Sequence, residues 1–270
     1  PSNDIKTLEL FAGSPVNCLL FEESNWNAGF NAEAAKHGIS TLAVVRPGVN
    51  AAESTQRAGG LGFTAIVFEG DFAGALPPVP KPLPSVELTL RNRMKFTEGV
   101  PVIGTYQAMW PGIRPEPEDK AHAAASGAAW IDTNAGFLRF ARAATRSQIW
   151  VAVTPPPKSE FKVERYLQAV GDAAMAGARW VLAFDDSFNK RLLSREEAAI
   201  KDWKKIGDHL KYYESHPEWR KAVAHGQMAL VQGTESGALV TGGVLDMIAT
   251  KHTPVRPIPA KELNAESLKG

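Results

Sequence analysis

Carboxylates, amides, an arginine and several aromatic residues follow the short apolar runs of this sequence. Aromatic rings stack on the apolar face of a sugar ring, while carboxylates and amides pair with its hydroxyl groups. Two carboxylates can also supply the acid and the nucleophile or base of glycoside hydrolysis. The set therefore predicts a carbohydrate site of a glycoside hydrolase. Its members, in chain order, are Glu22, Glu23, Trp26, Arg46, Glu69, Asp71, Tyr106, Gln107, Trp110, Asp132, Asn134, Asp185 and Asp186.

Three of these residues are the candidates for catalysis. Asp185 is the first choice for nucleophile or base, and Asp132 or Glu69 for the general acid. A carboxylate pair about 5 Å apart would indicate retention at the anomeric carbon, and a pair about 6.5–9.5 Å apart would indicate inversion. The other residues would bind the substrate: Arg46 and Asn134 through hydroxyls or a carboxylate, Trp26, Tyr106 and Trp110 by stacking, and Glu23, Asp71, Gln107 and Asp186 by hydrogen bonds.

The polar groups also have a structural explanation as helix caps. Asp132 or Asn134 can cap the helix predicted for GFLRFARA, and Asp185 can cap the turn FDDSF. If Asp132 serves a site, strand alternation places it on the same face as Trp130 and Asn134. Burial by Trp130 would then raise the pKa of Asp132 and suit it to act as an acid. A cap would instead lower that pKa and place its oxygens near the amide of Phe137.

Seven apolar runs predict the strands that position these residues. The runs lack strict polar alternation, which is typical of parallel strands covered on both faces. Segments with helical spacing lie between them, and glycines mark several helix ends. The repeated strand-helix-strand order predicts right-handed βαβ units and an α/β fold. The runs are VNCLLFEE (16–23), STLAVVRPG (40–48), TAIVFEGDF (64–72), VPVIGTYQAMWPG (100–112), AWIDTNAG (129–136), IWVAVTPPP (149–157) and WVLAFDDSF (180–188).

The spread of polar residues over many strand ends favours a (β/α)8 TIM-type barrel over an open doubly wound sheet. Barrel active sites are built from the ends of many strands, whereas an open sheet gathers its site at one switch point. We predict the barrel over residues 1–220, closed by the amphipathic segment 196–220. Beyond a boundary near Lys221, MALVQ, GALVTGGVLDMIAT and TPVRPIP predict a strand, a helix and a strand. Residues 221–270 would then be the truncated start of a second α/β domain.

Charge and composition argue against several kinds of partner. The 270 residues carry 30 Lys plus Arg against 29 Asp plus Glu, a net charge of +1 that offers no field to attract nucleic acid. The apolar runs are too short to span a bilayer, and no Cys/His grouping has zinc spacing. We therefore expect no membrane, metal or cofactor, and a buried thiol at Cys18. The start PSNDIK has no signal-peptide features, so the expected location is cytoplasmic, or periplasmic or secreted if a signal peptide has been removed.

Three segments carry a family resemblance. QAMWPG, AWIDTNAGFLRFARA and WVAVTPPP resemble parts of uncharacterised bacterial glycosyl-hydrolase-like TIM-barrel proteins. In related architectures the barrel is followed by a class I glutamine-amidotransferase-like domain. The segment from MALVQ to VRPIP, with AKELNAESLKG after it, is similar to the start of that domain. The resemblance covers most of the chain and implies a carbohydrate-active barrel.

The sequence departs from that family pattern in two places. Retaining barrel glycosidases of the largest clan carry catalytic glutamates after the fourth and seventh strands. This chain has Tyr106-Gln107 and Asp185-Asp186 at those positions. The amidotransferase-like segment has no catalytic cysteine, because Cys18 lies in the barrel, so we expect no glutaminase activity.

Two other classes of function remain as alternatives. A non-catalytic carbohydrate-binding barrel would use the same aromatic residues without a carboxylate pair that flanks a sugar ring. A lyase or aldolase would need a Schiff-base lysine or a set of metal-binding carboxylates, and the one lysine that follows a strand is Lys158, beyond three prolines. A homo-oligomer formed through the C-terminal domain is left open.

Overall fold

The computed structural model describes residues 2–97, 99–110, 113–115, 121–123, 133–235, 239–249 and 251–269. The chain forms two compact units, Pro1–Thr89 and Leu90–Gly270. Each unit combines parallel strands with helices, which confirms the α/β class. The predicted domain boundary near Lys221 lies inside the second unit and stays a prediction.

The first unit is built on four parallel strands in the order β1-β2-β3-β4. Phe21 of the first strand pairs with Ala43, and Val45 of the second pairs with Phe68. Parallel neighbours require crossover connections, and two of these are helices. The strands are β1 (Cys18–Phe21), β2 (Ser40–Val45), β3 (Ala65–Glu69) and β4 (Ser85–Thr89), and the helices are α1 (Ala28–Lys36) and α2 (Ala51–Gly60).

The apolar runs of β2 and β3 are buried on both sides of the sheet. Ala43, Ile66 and Val67 are inaccessible to solvent. Phe21 and Phe30 meet edge to face at 5.1 Å beside these strands and belong to the same core. The continuous apolar pattern of β2 and β3 follows from this two-sided burial.

Strand β4 was not among the predicted strands. Its side chains alternate, with Ser85 and Glu87 exposed and Val86 and Leu88 buried. A strand with one solvated face contains polar residues at every second position and so lacks a continuous apolar run. It also follows the Pro-rich segment 76–84, which the sequence marks as a loop.

The second unit has a sheet of three parallel strands in the order β5-β8-β9. A short antiparallel pair, β6-β7, precedes its first helix. Half of the strand predicted for AWIDTNAG (129–136), residues 129–132, lies outside the described residues, and a helix begins at Ala135. The elements are β5 (Val102–Thr105), β6 (Ile113–Pro115), β7 (Ala121–Ala123), α3 (Ala135–Ala144), β8 (Gln148–Ala152), α4 (Val163–Met175), β9 (Ala178–Val181), α5 (Asp186–Leu193) and α6 (Glu197–Glu214).

The end of the chain adds a strand, a helix and a strand to the second unit. β10 (Met228–Gln232) and β11 (Val255–Pro259) are a parallel pair, and α7 (Leu239–Ala249) connects them. α7 packs on α3 at two glycines, Gly136 and Gly242. A Cβ atom at Gly242 would lie 2.7 Å from the Cα atom of Phe137, so only glycine permits this approach.

Candidate functional site

Three charged residues of the first unit lie where neighbouring parallel strands end. Glu22 follows β1 directly, Arg46 follows β2 directly, and Glu69 is the last residue of β3. Because parallel strands end at the same edge of a sheet, their end residues are brought together there. We call Glu22, Arg46 and Glu69 the carboxyl-end cluster.

Arg46 joins the two carboxylates of the carboxyl-end cluster. Its Nη2 atom donates to Oε1 of Glu22 and to Oε1 of Glu69, each at 2.7 Å, and its Nη1 atom donates to Oε2 of Glu22. Since both Oε1 atoms bond to the same nitrogen, they can be no farther apart than the sum of the two bonds, 5.4 Å. The cluster therefore contains a close pair of carboxylates.

The carboxyl-end cluster is accessible to solvent. The side chains of Arg46, Glu22 and Glu69 are 50%, 46% and 19% exposed. The hydrogen bond to Glu22 is the largest influence on Arg46 and raises its pKa, while its partial burial acts in the opposite direction. The charges sum to −1, and the hydrogen-bonding groups are within reach of a ligand.

A glycine and a proline set the distance between the loops after β2 and β3. Gly70 has φ of 137°. A Cβ atom on Gly70 would lie 2.5 Å from Cδ of Pro47. The Gly70 N–H donates to the carbonyl of Leu88 at 3.0 Å. This close approach holds the residues before them, Arg46 and Glu69, next to each other.

Other predicted binding residues of the first unit have structural contacts. Glu23 accepts from Ser54 Oγ at 2.9 Å and forms an ion pair with Arg57. Trp26 donates its indole N–H to the carbonyl of Phe21 at 2.9 Å, and the Arg57 guanidinium lies 5.0 Å from its ring. Half-buried Trp26 is thus held against the core, while Asp71 is exposed.

Asp185 of the second unit is a helix cap, as the structural alternative predicts. It is 3% exposed and accepts from the Phe188 N–H at the start of α5, at 2.9 Å. Its other oxygen accepts from the Tyr166 hydroxyl at 2.6 Å and the Phe161 N–H at 3.2 Å. Burial, and then this hydrogen bond, raise the pKa of Tyr166. Both oxygens of Asp185 are therefore engaged, whereas the next residue, Asp186, is exposed.

Asn134, predicted to hold a substrate hydroxyl, is completely buried instead. Its Oδ1 atom accepts from Arg91 Nη2 at 2.5 Å and from the Met109 N–H at 2.8 Å. Its Nδ2 atom donates to the Met109 carbonyl at 2.9 Å and to Asp172 Oδ2 at 2.8 Å. All of its hydrogen-bonding capacity is used within the protein.

The start of α3 is capped by residues from other elements and by Thr133. Asp246 of α7 accepts from the Gly136 N–H at 2.8 Å, and Thr133 Oγ1 accepts from the Ala135 N–H at 3.1 Å. Asn134 stands at the cap position without a side-chain cap bond. Asp132 lies outside the described residues, so its predicted role and pKa stay predictions. We call Arg91, Asn134, Asp172 and Asp246 the buried polar network; Asn134 and Asp246 are buried, and Arg91 and Asp172 are half-buried around them.

Burial dominates the electrostatics of this network. Burial raises the pKa of Asp246 to about 6, the charge of Asp172 adds to this, and the Gly136 N–H, Arg91 and Arg139 oppose it. Burial also lowers the pKa of Arg91, against the charges of Asp246 and Asp172. The Arg91 guanidinium lies 4.7 Å from the Phe137 ring centre.

Trp110 is a core residue and not the surface stacking residue that the sequence predicts. It is 5% exposed and lies 4.9 Å from both the Phe161 and Trp180 rings, measured between ring centres. Ala108 donates its N–H to the carbonyl of Ala152 at the end of β8, so the segment beyond β5 stays against the sheet and Trp110 enters the aromatic core. Gln107 is exposed, but its Oε1 atom accepts from the Arg91 N–H at 3.0 Å, and Tyr106 is half-buried.

The structure brings together only part of the predicted site. Arg46 and Glu69, two of the predicted strand-end residues, are in contact, and Glu22 completes their cluster. The partners Arg57, Arg91, Asp172 and Asp246 were not identified from the sequence. Asp172 and Asp246 carried one usable signal, because each is an acid flanked by apolar or small residues, in AVGDAAM and GVLDMIA.

Comparison with known proteins does not assign the chain to a family. No protein-family model matches it, and no curated protein matches it. Among the described residues, no group of three or more His, Cys, Asp or Glu side chains could hold a metal ion. None of the helices in the described ranges is long and apolar enough to cross a membrane.

Proposed function

We propose that the protein binds a carbohydrate at the carboxyl-end cluster and acts there as a glycoside hydrolase. Glu69 would be the general acid, as expected from the sequence, and Glu22 would take the role of nucleophile. Arg46 would release one carboxylate and donate to a hydroxyl of the bound sugar.

The observation that carries this proposal is the spacing of the two carboxylates. Their oxygens lie within 5.4 Å of each other through the shared Arg46 nitrogen. Retaining glycosidases place their catalytic carboxyl groups about 5–5.5 Å apart. This bound applies to one oxygen of each carboxylate, and it agrees with the spacing of a retaining pair, whereas inversion places the carboxyl groups about 6.5 Å or more apart to leave room for a water molecule.

Asp185 has no role in this proposal. A catalytic carboxylate must be able to reach the anomeric carbon or the leaving group, and the side chain of Asp185, which is 3% exposed, is enclosed by the fold, whereas that of Glu22 is 46% exposed. Both oxygens of Asp185 accept hydrogen bonds from buried donors. Removing it would weaken the fold of the second unit, so a loss of activity in an Asp185 variant would not identify a nucleophile.

A non-catalytic carbohydrate-binding protein is the second candidate. The ion pairs favour it, because one guanidinium engages both carboxylates and the three side chains present fixed donors and acceptors. Such an arrangement suits the recognition of vicinal hydroxyls without any bond cleavage.

Hydrolysis of chromogenic aryl glycosides tests the proposal. A panel that covers common pyranosides and both anomers would be assayed with the intact protein, Glu22→Gln, Glu69→Gln and the control Glu87→Gln. Glu87 is an exposed carboxylate in the middle of β4, away from the strand ends. We expect turnover that both cluster variants lose by at least about 100-fold, the usual size of an acid–base contribution, while the control keeps it.

Binding to immobilised glycans separates the two candidates. Glycan binding that requires Arg46, without turnover of any glycoside, would select the non-catalytic candidate. Turnover that survives both glutamine substitutions would refute the assignment of the site.

We also infer the finer fold from the pattern of strands and helices. The α/β units would be parts of a (β/α)8 barrel over residues 1–220, and β10, α7 and β11 would begin an amidotransferase-like domain. The parallel strands of both units and the parallel β10-β11 pair support this inference. A crystal structure without eight barrel strands would contradict it.

A further inference from the structure

An open cavity of about 550 Å³ lies in the second unit, apart from every residue of the proposed carbohydrate site. Its volume is within the range of about 300–1,000 Å³ that is typical of small-molecule sites. It is formed by the end of α3 and the turn after it, the segment before β5, and the short 3₁₀ helix Ala260–Glu262. The lining residues that matter below are Phe96, Val100, Pro101, Arg146, Lys261 and Glu262.

Hydrogen bonds between backbone groups and hydroxyls hold several of the lining residues in place. Ser147 donates its hydroxyl to the Val100 carbonyl and accepts from the Thr145 hydroxyl at 3.0 Å. The Gln148 N–H donates to the Pro101 carbonyl at 2.9 Å. The hydroxyls are thus used within the protein, so recognition of a ligand depends on the charged and apolar side chains.

The charged side chains of the lining carry a net positive charge. Arg146 and Lys261 are exposed, and within the described part of the chain no ion pair joins either of them to a carboxylate. Glu262 contributes one negative charge, so the three side chains sum to +1. Burial, and then the charge of Arg146, lower the pKa of Arg142, so the two guanidinium groups lie near each other at this turn.

An apolar wall accompanies these charges. Phe96 lines the cavity and packs edge to face on Phe140, with 5.9 Å between the ring centres. Val100 and Pro101 continue the wall. Two cations beside an apolar wall fit an anion that also has a hydrophobic part.

We propose that this cavity binds a small organic monocarboxylate. The carboxylate pairs with Arg146 and Lys261, and the apolar part of the ligand packs on Phe96, Val100 and Pro101. Glu262 disfavours a second negative charge on the ligand. This site is independent of the proposed function, because none of its residues belongs to the carboxyl-end cluster.

Calorimetric titration with four probes tests this site. Benzoate, acetate, succinate and inorganic phosphate would be titrated at the same ionic strength into the intact protein. We expect benzoate to bind more tightly than acetate, because its ring adds apolar contact, and succinate and phosphate to bind more weakly than benzoate.

Two variants and a matched control locate the binding. Arg146→Gln and Lys261→Gln should each weaken benzoate binding roughly tenfold, the usual loss for a charge-assisted hydrogen bond. Lys251→Gln removes an exposed lysine of the same C-terminal segment that does not line the cavity, and should bind benzoate as the unchanged protein does. Three results would each overturn the proposal: the unchanged protein does not bind benzoate, both cavity variants bind benzoate as tightly as the unchanged protein does, or the protein binds phosphate more tightly than benzoate.

Discussion

The carboxyl-end cluster of the first unit and the buried polar network of the second use the same residue types under opposite conditions. In the first, Arg46 and its two glutamates are in contact with solvent. In the second, Asn134 is inaccessible, and Asp246 is 8% exposed. Each region contains an arginine that donates to side-chain oxygens: Arg46 donates to two carboxylates, and Arg91 donates to the amide oxygen of Asn134.

The difference shows which polar groups are available for a ligand. Exposed ion pairs contribute little to stability, because water solvates the separated charges almost as well. A buried polar group that loses its hydrogen-bond partner cannot bond to water instead, so it stays unsatisfied and the fold is destabilised. The buried network therefore belongs to the fold, whereas the side chains of the exposed cluster can exchange their partners for water or a ligand.

The largest effect on stability is expected from Asn134→Ala. The substitution removes four side-chain hydrogen bonds at a fully buried position and leaves Arg91, Met109 and Asp172 without their partner. We expect a loss of about 3–4 kcal/mol in the free energy of unfolding, measured by urea denaturation. The control is Asn92→Ala, which makes the same substitution at an exposed position next to Arg91 in the sequence. If Asn134→Ala changed the free energy of unfolding as little as the control does, Asn134 would not be a residue that stabilises the fold.

A loss of about 2–3 kcal/mol is expected from Asp185→Ala, because α5 loses its cap and the Tyr166 hydroxyl loses its acceptor. The adjacent Asp186→Ala is the matched control, since that side chain is exposed. A double-mutant cycle with Tyr166→Phe should give a coupling energy of about 1 kcal/mol or more. Additive effects would show that the two side chains do not share a hydrogen bond.

A pH-dependent contribution is expected from Asp246. Its pKa is about 6 in the folded protein and about 4 in an unfolded chain. The folded state thus holds a proton that the unfolded state releases. The stabilisation from this group is complete below about pH 4 and is lost as the pH rises through about 6.

Asp246→Asn isolates this contribution, because the amide oxygen can still accept from the Gly136 N–H. The variant should be more stable than the unchanged protein by about 2.7 kcal/mol at pH 7 and equal to it near pH 4. The measurement is the difference between the two denaturation curves at each pH. A constant difference from pH 4 to 7 would contradict the raised pKa.

The smallest effect on stability is expected from Arg46→Gln. Its ion pairs are half exposed, so we expect a change below about 1 kcal/mol. Carbohydrate binding at the carboxyl-end cluster should nevertheless be lost. A loss of stability much larger than about 1 kcal/mol would show that the carboxyl-end cluster, like the buried polar network, stabilises the fold. That result would count against its assignment as a binding site.

The sequence determined the α/β class, most of the apolar strands, and the placement of Arg46 and Glu69 at the ends of neighbouring strands. Continuous apolar runs and helical spacing are local signals, because the apolar residues within one segment are enough to predict which of its positions are buried. The ends of β2 and β3 were also readable, since each run stops at a charged residue. By contrast, β4 has one solvated face and gave no such run.

Only the tertiary structure decided which polar residues are exposed. Asn134 and Arg46 both follow apolar segments, and nothing near them in the sequence distinguishes their environments. Asn134 is buried because its partners Arg91 and Asp172 come from positions 43 and 38 residues away. Asp185 is committed to Tyr166, 19 residues earlier. A polar side chain belongs to the fold or to a site according to its distant neighbours, and their positions are fixed only when the chain packs.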